Sequence, residues 1–246
     1  MFRTHPFDLH EIHSRIASRL GPKDLASCVR VSQDWNDSFT PPLYNSIELS
    51  DHGPSMESFE RNKHLIRHLK IQNSAYEKLS STSAQDNVIS SIMVNSTLTT
   101  LHLQCNSIEP NEAQALSEAL KTNSTLTTLH LQNNSIGPNG AQALSEALKT
   151  NSTLTTLHLG FNSIGDSGTQ ALSVALKTNS TLTTLDLQSN SIGPSGAQAL
   201  SEVIKANSTL TTLNLYHNSI GPNGVQVLSE ACNANSTVTI TGVVLH

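Results

Sequence analysis

The sequence predicts an α/β fold, a right-handed solenoid with a parallel sheet lining its inner face and helices covering the outside. Three observations predict it. A unit of 28 residues beginning Asn-Ser-Thr-Leu-Thr-Thr-Leu starts at Asn95 and recurs at Asn123, Asn151, Asn179 and Asn207, with a sixth, altered start at Asn235. Within each unit leucines first alternate, as on a half-buried strand, and apolar residues then recur at spacings of three and four, as on one face of a helix. The strand segments read LTTLHLQCNSI, LTTLHLQNNSI, LTTLHLGFNSI, LTTLDLQSNSI and LTTLNLYHNSI, so eight of eleven positions never change and the three that do are neighbours.

The chain divides into residues 5–43, 44–94 and 95–246. In the first part Leu9, Ile12, Ile16 and Leu20 form a helical stripe, which Gly21-Pro22 ends. A second short helix carries Leu25, Cys28 and Val29. Ser32 caps a third, with Trp35 and Phe39, that Pro41-Pro42 stops. So small a unit buries too little surface to stand alone, and leans on the repeats or on a partner.

The run LHEIHSRIASRLGPKDLASCVRVSQDWNDSF resembles an F-box, the short helical motif that docks onto the Skp-type adaptor of cullin-based ubiquitin ligases. Leu9, Glu11, Ile12, Leu20, Pro22, Asp24 and Leu25 match, and Val31 and Trp35 fit the family's Val-x-x-x-Trp pattern; His10 stands where the family usually has proline. The resemblance implies that Leu9, Ile12, Ile16, Leu20, Pro22, Leu25, Val31 and Trp35 form the adaptor-binding face and the packing beneath it. The alternative is a helical cap over the first repeat, since solenoids need capped ends.

Residues 44–94 read as irregular transition repeats. Residues 44–49 alternate like a short strand, residues 66–71 repeat the Leu-x-Leu pattern in degraded form, and residues 86–93 suggest a returning helix with Val88, Ile89 and Ile92 on one face. From Asn95 the pattern Leu-x-x-Leu-x-Leu-x-x-Asn-x-Ile, followed by Gly-Pro-x-Gly-Ala-x-Ala-Leu, resembles the ribonuclease-inhibitor class of leucine-rich repeat. In the second copy Leu126, Leu129, Leu131 and Ile136 point to the core, as do Ala141, Leu144 and Leu148 from the helix. Asn106, Asn134, Asn162, Asn190 and Asn218 sit where a side-chain amide can satisfy backbone groups at each turn. The last copy loses its register, and Val238, Ile240, Val243 and Leu245 form a final, poorly covered edge strand.

The three variable positions form columns across the sheet. The first reads His102, His130, His158, Asp186 and Asn214; the second Gln104, Gln132, Gly160, Gln188 and Tyr216; the third Cys105, Asn133, Phe161, Ser189 and His217. Variation concentrated there marks a partner-binding concave face, although weak constraint at exposed positions explains part of it. The invariant Thr two residues before the His column is exposed too. Three imidazoles invite a metal, but a flat ladder diverges from any single point and lacks a clear fourth ligand, so no metal and no cofactor are expected. Histidines touching a partner would make binding change between about pH 5.5 and 7.5.

Composition excludes other classes. The net charge of -5 and the absence of arginine beyond Arg67 argue against a nucleic-acid groove. No apolar run is long enough to span a membrane, and Cys28, Cys105 and Cys232 are too scattered for a disulfide framework, which suits the cytosol or nucleus. The Asn-Ser-Thr triplets match the glycosylation pattern and, without a secretion signal, read as a by-product of duplication. Phosphate-binding loops, serine-hydrolase elbows and zinc-protease motifs are absent.

The expected function is therefore non-catalytic. The F-box-like block combined with the repeats resembles F-box/leucine-rich-repeat proteins of the fungal type, which implies a substrate receptor of a cullin ubiquitin ligase. Its partners would be the Skp-type adaptor with its cullin and a protein substrate on the concave face. A repeat scaffold or regulatory inhibitor is the alternative. A GTPase-activating accessory role is weaker, because the repeats contain no arginine to act as a finger.

Overall fold

The computed structural model describes residues 46–49, 66–71, 92 and 95–243. The F-box-like block 5–43 lies outside the described residues, as does most of 44–94.

Eight parallel strands form one sheet in simple sequence order: β1 (Ser46–Leu49), β2 (His68–Ile71), β3 (Thr100–His102), β4 (Thr128–His130), β5 (Thr156–His158), β6 (Thr184–Asp186), β7 (Thr212–Asn214) and β8 (Thr239–Thr241). Among the described residues five helices alternate with the later strands: α1 (Pro110–Thr122), α2 (Gly137–Leu148), α3 (Gly165–Leu176), α4 (Pro194–Ala206) and α5 (Gly221–Ala234). The two transition strands fall where the alternating pattern places them. Leu69 and Ile71 are buried as the leucines of later strands are, and Ile92 is helical and buried.

Register follows the repeat. Thr100 pairs with Thr128, Thr128 with Thr156, Thr156 with Thr184 and Thr184 with Thr212, a step of 28 each time. The central Leu of each strand β3 to β7 points into the core and its two neighbours point out. A single apolar core runs from Leu49 to Val238. At the far end β8 pairs Thr212 with Thr239, a step of 27, so the register slips by one residue as the pattern predicts. Beyond it an open groove is lined by Ile220, Pro222, Val225 and Val243 among others.

Three side-chain ladders join each coil to the one before it. In the expected one, Asn134 Nδ2 donates to the Leu103 carbonyl at 2.9 Å while its Oδ1 accepts the N–H groups of Asn106 and Ile108. Asn162, Asn190 and Asn218 repeat the reach to Leu131, Leu159 and Leu187. The second ladder corrects the reading of the Asn-Ser-Thr triplets as a by-product of duplication. Asn151, Asn179 and Asn207 are buried, and their Nδ2 groups donate to the carbonyls of Leu120, Leu148 and Leu176, near the C-terminus of the helix one repeat before the one each follows. Their Oδ1 atoms cap the turn into the next strand by accepting the N–H groups of Leu154, Leu182 and Leu210, each at 2.8 Å. An amide so committed has no room for a glycan. In the third ladder the hydroxyls of Thr127, Thr155, Thr183 and Thr211 each donate at 3.1 Å to the equivalent carbonyl one coil back.

Helix entry varies by coil. Gly137, Gly165 and Gly221 open their helices at φ values of 61, 63 and 68°, where a side chain would be strained. Gly193 does not, because Asp166 from the preceding coil accepts its N–H at 2.7 Å and that of Gly196 at 2.8 Å, capping α4 from outside. On the outer surface Lys121, Lys149 and Lys205 pair with the Glu three residues earlier. Such exposed pairs contribute only about 0.2–0.5 kcal/mol each. Val174 replaces that Glu on α3 and is exposed.

Candidate partner-binding face

The first variable column is a stack of aromatic rings. His102 and His130 lie with centroids 4.2 Å apart and planes within 7°; His130 and His158 lie 4.5 Å apart and within 5°. Strand spacing of about 4.8 Å sets this, since identical rotamers on neighbouring parallel strands must stack. The ring stack ends beside a carboxylate, with His158 Nδ1 3.5 Å from Asp186 Oδ2. Asp186 Oδ1 accepts the Gln188 N–H at 3.0 Å, and Asn214 Oδ1 accepts the Tyr216 N–H at 3.0 Å.

Electrostatics follow from the stack. Burial, then the neighbouring His102 and His158, hold the His130 imidazole down to about 4. His102 is lowered by burial first and then by His68, Lys70 and His158. Burial works to raise Asp186, but His158, the Gln188 N–H and Asn214 together outweigh it and hold the carboxyl below its ordinary value. The expected switch between about pH 5.5 and 7.5 therefore does not belong to His130, which stays neutral through that window because burial disfavours its charged form and the neighbouring His102 and His158 add to that. Among the described residues no three His, Cys, Asp or Glu side chains are placed to hold a metal ion.

The second column stands beside the stack. Gln132 Nε2 reaches His130 Nδ1 at 3.5 Å, and Asn214 Nδ2 reaches Gln188 Oε1 at 3.4 Å. Gly160 interrupts it. The third column is not a strand position, as alternation would have it. Cys105, Asn133, Phe161, Ser189 and His217 all adopt left-handed backbone, with φ between 52 and 59°. Asn is at ease there, whereas Phe is strained, so the occupants of this column are not set by backbone preference alone. The sequence carried a hint of this turn in Asn133. Phe161 is 46% exposed and Tyr216 50%. Cys105 is exposed and unpaired; Cys232 is also unpaired, and partial burial pushes its thiol up. Thr128, expected to be exposed, is half-buried, and it is a β-branched residue opening its strand.

Coils of strand, turn and outer helix with an open inner sheet define a protein-binding scaffold of the leucine-rich-repeat class. The Leucine Rich repeat family matches residues 94–117, 122–145, 150–173, 178–201 and 206–229, so each of these five segments is a leucine-rich repeat. No curated protein matches the chain by sequence. Among solved structures, the leucine-rich repeat-containing protein LegL7 from Legionella pneumophila is 17% identical, with 87% of this chain and 72% of that chain covered and a TM-score of 0.55. That likeness concerns the fold. Leiomodin-1 Actin-Binding Site 2 is 28% identical over 54% of this chain and 76% of that one, with a TM-score of 0.47. The tropomodulin C-terminal domain of Caenorhabditis elegans is 16% identical over 49% and 73%, with a TM-score of 0.43. No helix among the described residues is long and apolar enough to cross a membrane.

Proposed function

We propose that the chain is a non-catalytic recognition subunit whose inner face holds a protein partner and whose residues 5–43 dock on the Skp-type adaptor of a cullin ubiquitin ligase. The observation that carries the first half is that, within the strand segments, variation is confined to three adjacent columns while the other eight positions are identical in all five copies. The buried frame of Leu, Ile and ladder Asn is fixed by packing; the columns carry His, Gln, Phe and Tyr, side chains able to make directional contacts. The second half is supported by the run from Leu9 to Phe39, with Trp35 and Val31 in the F-box pattern. Such a subunit makes and breaks no bonds. It raises the effective concentration of a bound protein near the ligase, in the cytosol or nucleus.

A pull-down tests it. The wild-type chain should capture the Skp-type adaptor and cullin, and the double variant Trp35→Ala, Leu20→Asp should lose both while its repeats keep their melting temperature. Wild type that captures no adaptor removes the ligase role and leaves a repeat scaffold or inhibitor whose N-terminal helices serve as a cap.

A further inference from the structure

We propose that the inner face carries a seat for a guanidinium group, an arginine of the protein partner, beside His158 and Asp186, where Gly160, itself buried, withholds the glutamine side chain that the column carries in other coils. The inference rests on the reading that this face binds a protein.

Charge singles the place out. Across the three columns of the five regular coils Asp186 is the one carboxylate, and no Lys or Arg stands in any of them. The acceptors there are under-used. His158 Nδ1 is buried and has no hydrogen-bond partner, and Asp186 Oδ2 faces it at 3.5 Å, too far for a good bond. A buried nitrogen left in this state is uncommon and asks for a donor. A guanidinium supplies two N–H groups in one plane, one for the carboxylate oxygen and one for the imidazole nitrogen, with three donors to spare for the Gln side chains on either side. A lysine ammonium is a point charge and matches the pair less well.

The local substitutions agree. The column position that is Gln in coils one, two and four is Gly160 in coil three, and a Cβ built there would lie 3.5 Å from Asp186 Oδ2 and 3.7 Å from Gln188 Cβ. A glutamine at 160 would thus lay its stem and amide along the carboxylate; glycine withholds them. The next residue, Phe161, stays 46% exposed in a left-handed turn that Phe disfavours. An exposed aromatic one residue beyond Gly160, its own N–H donated to the Gln188 carbonyl at 2.8 Å, offers a ring face to a planar cation.

The test titrates the full chain with N-acetyl-arginine amide, its neutral isostere N-acetyl-citrulline amide, and N-acetyl-lysine amide, following backbone and imidazole NMR shifts at residues 158–161 and 186–188. Wild type should show saturable millimolar binding of the arginine probe, with citrulline weaker by about tenfold or more, as expected for losing a charge-assisted bond. Asp186→Asn should abolish the preference and Gly160→Gln should weaken arginine binding by a similar factor. Both variants install residues that other coils already carry, Asn214 and Gln132 at the equivalent positions, so the fold tolerates them. Absence of saturation, an equal response to citrulline, or undiminished binding by Gly160→Gln overturns the proposal. Because the probe is small, the titration stands or falls independently of adaptor capture, and an inner face that takes no protein at all would leave its result unchanged.

Discussion

Asn162 shows how much a single amide carries in a stacked fold. It is fully buried; its Nδ2 donates to the carbonyls of Leu131, Leu159 and Gly160 at 2.8, 3.0 and 3.1 Å, and its Oδ1 accepts the Ile136 N–H at 3.3 Å. Truncation orphans groups in two coils at once. Each buried orphan costs about 1–3 kcal/mol, and partial rescue by water sets the expected loss for Asn162→Ala near 3 kcal/mol in urea unfolding. A loss below about 0.5 kcal/mol would show that the ladder is decorative. The histidine stack makes a second prediction, on pH. Folding lowers the His130 pKa from 6.5 to about 4, so below 6.5 the unfolded chain takes up a proton that the folded chain refuses. Stability is therefore full above the unfolded value and declines as pH falls towards about 4, with His102 contributing in the same direction. The rings are half exposed, which limits the effect of His130 to on the order of 1 kcal/mol. Asp186, a depressed carboxyl, loses its contribution lower, as pH falls below its ordinary 3.8. Calorimetry between about pH 7 and 4.5 should show a falling melting temperature, and His130→Asn, the residue of coil five, should flatten the slope. An unchanged slope would place the titration elsewhere.

At the scale of elements, the close approach of successive helices decides how tightly the coils stack. Gly168 on α3 has no room for a side chain: a Cβ would meet Ile164 Cγ2 at 2.5 Å, Ala141 Cβ of α2 at 3.0 Å and the Pro138 backbone at 3.1 Å. Gly168→Ala should cost about 1–3 kcal/mol through overpacking, while Ser167→Ala on the exposed neighbour should be neutral. Equal chemical denaturation midpoints for the two would mean that the helices slide apart freely. This is also the scale at which the sequence was most legible. Alternating Leu129 and Leu131 gave the strand, Ala141, Leu144 and Leu148 gave the buried helix face, and the repeat step gave the register, because each depends on local periodicity. What stayed hidden depends on partners a coil away. The Asn-Ser-Thr triplets looked incidental because Asn151 acts on Leu120, 31 residues earlier. Asp166 stands where the other coils have Pro, and its carboxylate caps the helix of the following coil. The third column looked like strand because alternation reports exposure and not the sign of φ. The repeat made the inner-face columns legible as positions, but the ring stacking and the idle His158 nitrogen at Asp186 depend on how neighbouring coils meet.

Over the whole molecule, stability is a sum over coils and their interfaces, and the two ends of the array are not equivalent. Each interior coil is covered on both sides, whereas coil five is followed only by β8, slipped by one residue, with Ile240 half-buried and a groove open past Val243. In a stack where contacts join only neighbours, weakening an end lets that end fray, and weakening the middle removes support from both halves. Leu157 and Leu213 offer a matched comparison, since they occupy the same strand position and are 1% and 0% exposed. Replacing either with Ala removes the same atoms and leaves a similar cavity, worth about 2–5 kcal/mol locally. Their consequences should differ. Leu213→Ala should raise hydrogen exchange across residues 207–243 and leave amides of coils two and three protected, with a shallow first phase in urea. Leu157→Ala should lower the main unfolding midpoint and expose amides on both sides of β5. The inner-face seat at coils three and four would then survive the first variant and be lost with the second, which ties partner recognition to the stiffest part of the array. Identical exchange profiles for the two variants would mean that the repeats unfold as one cooperative block, and the end-fraying account would fall.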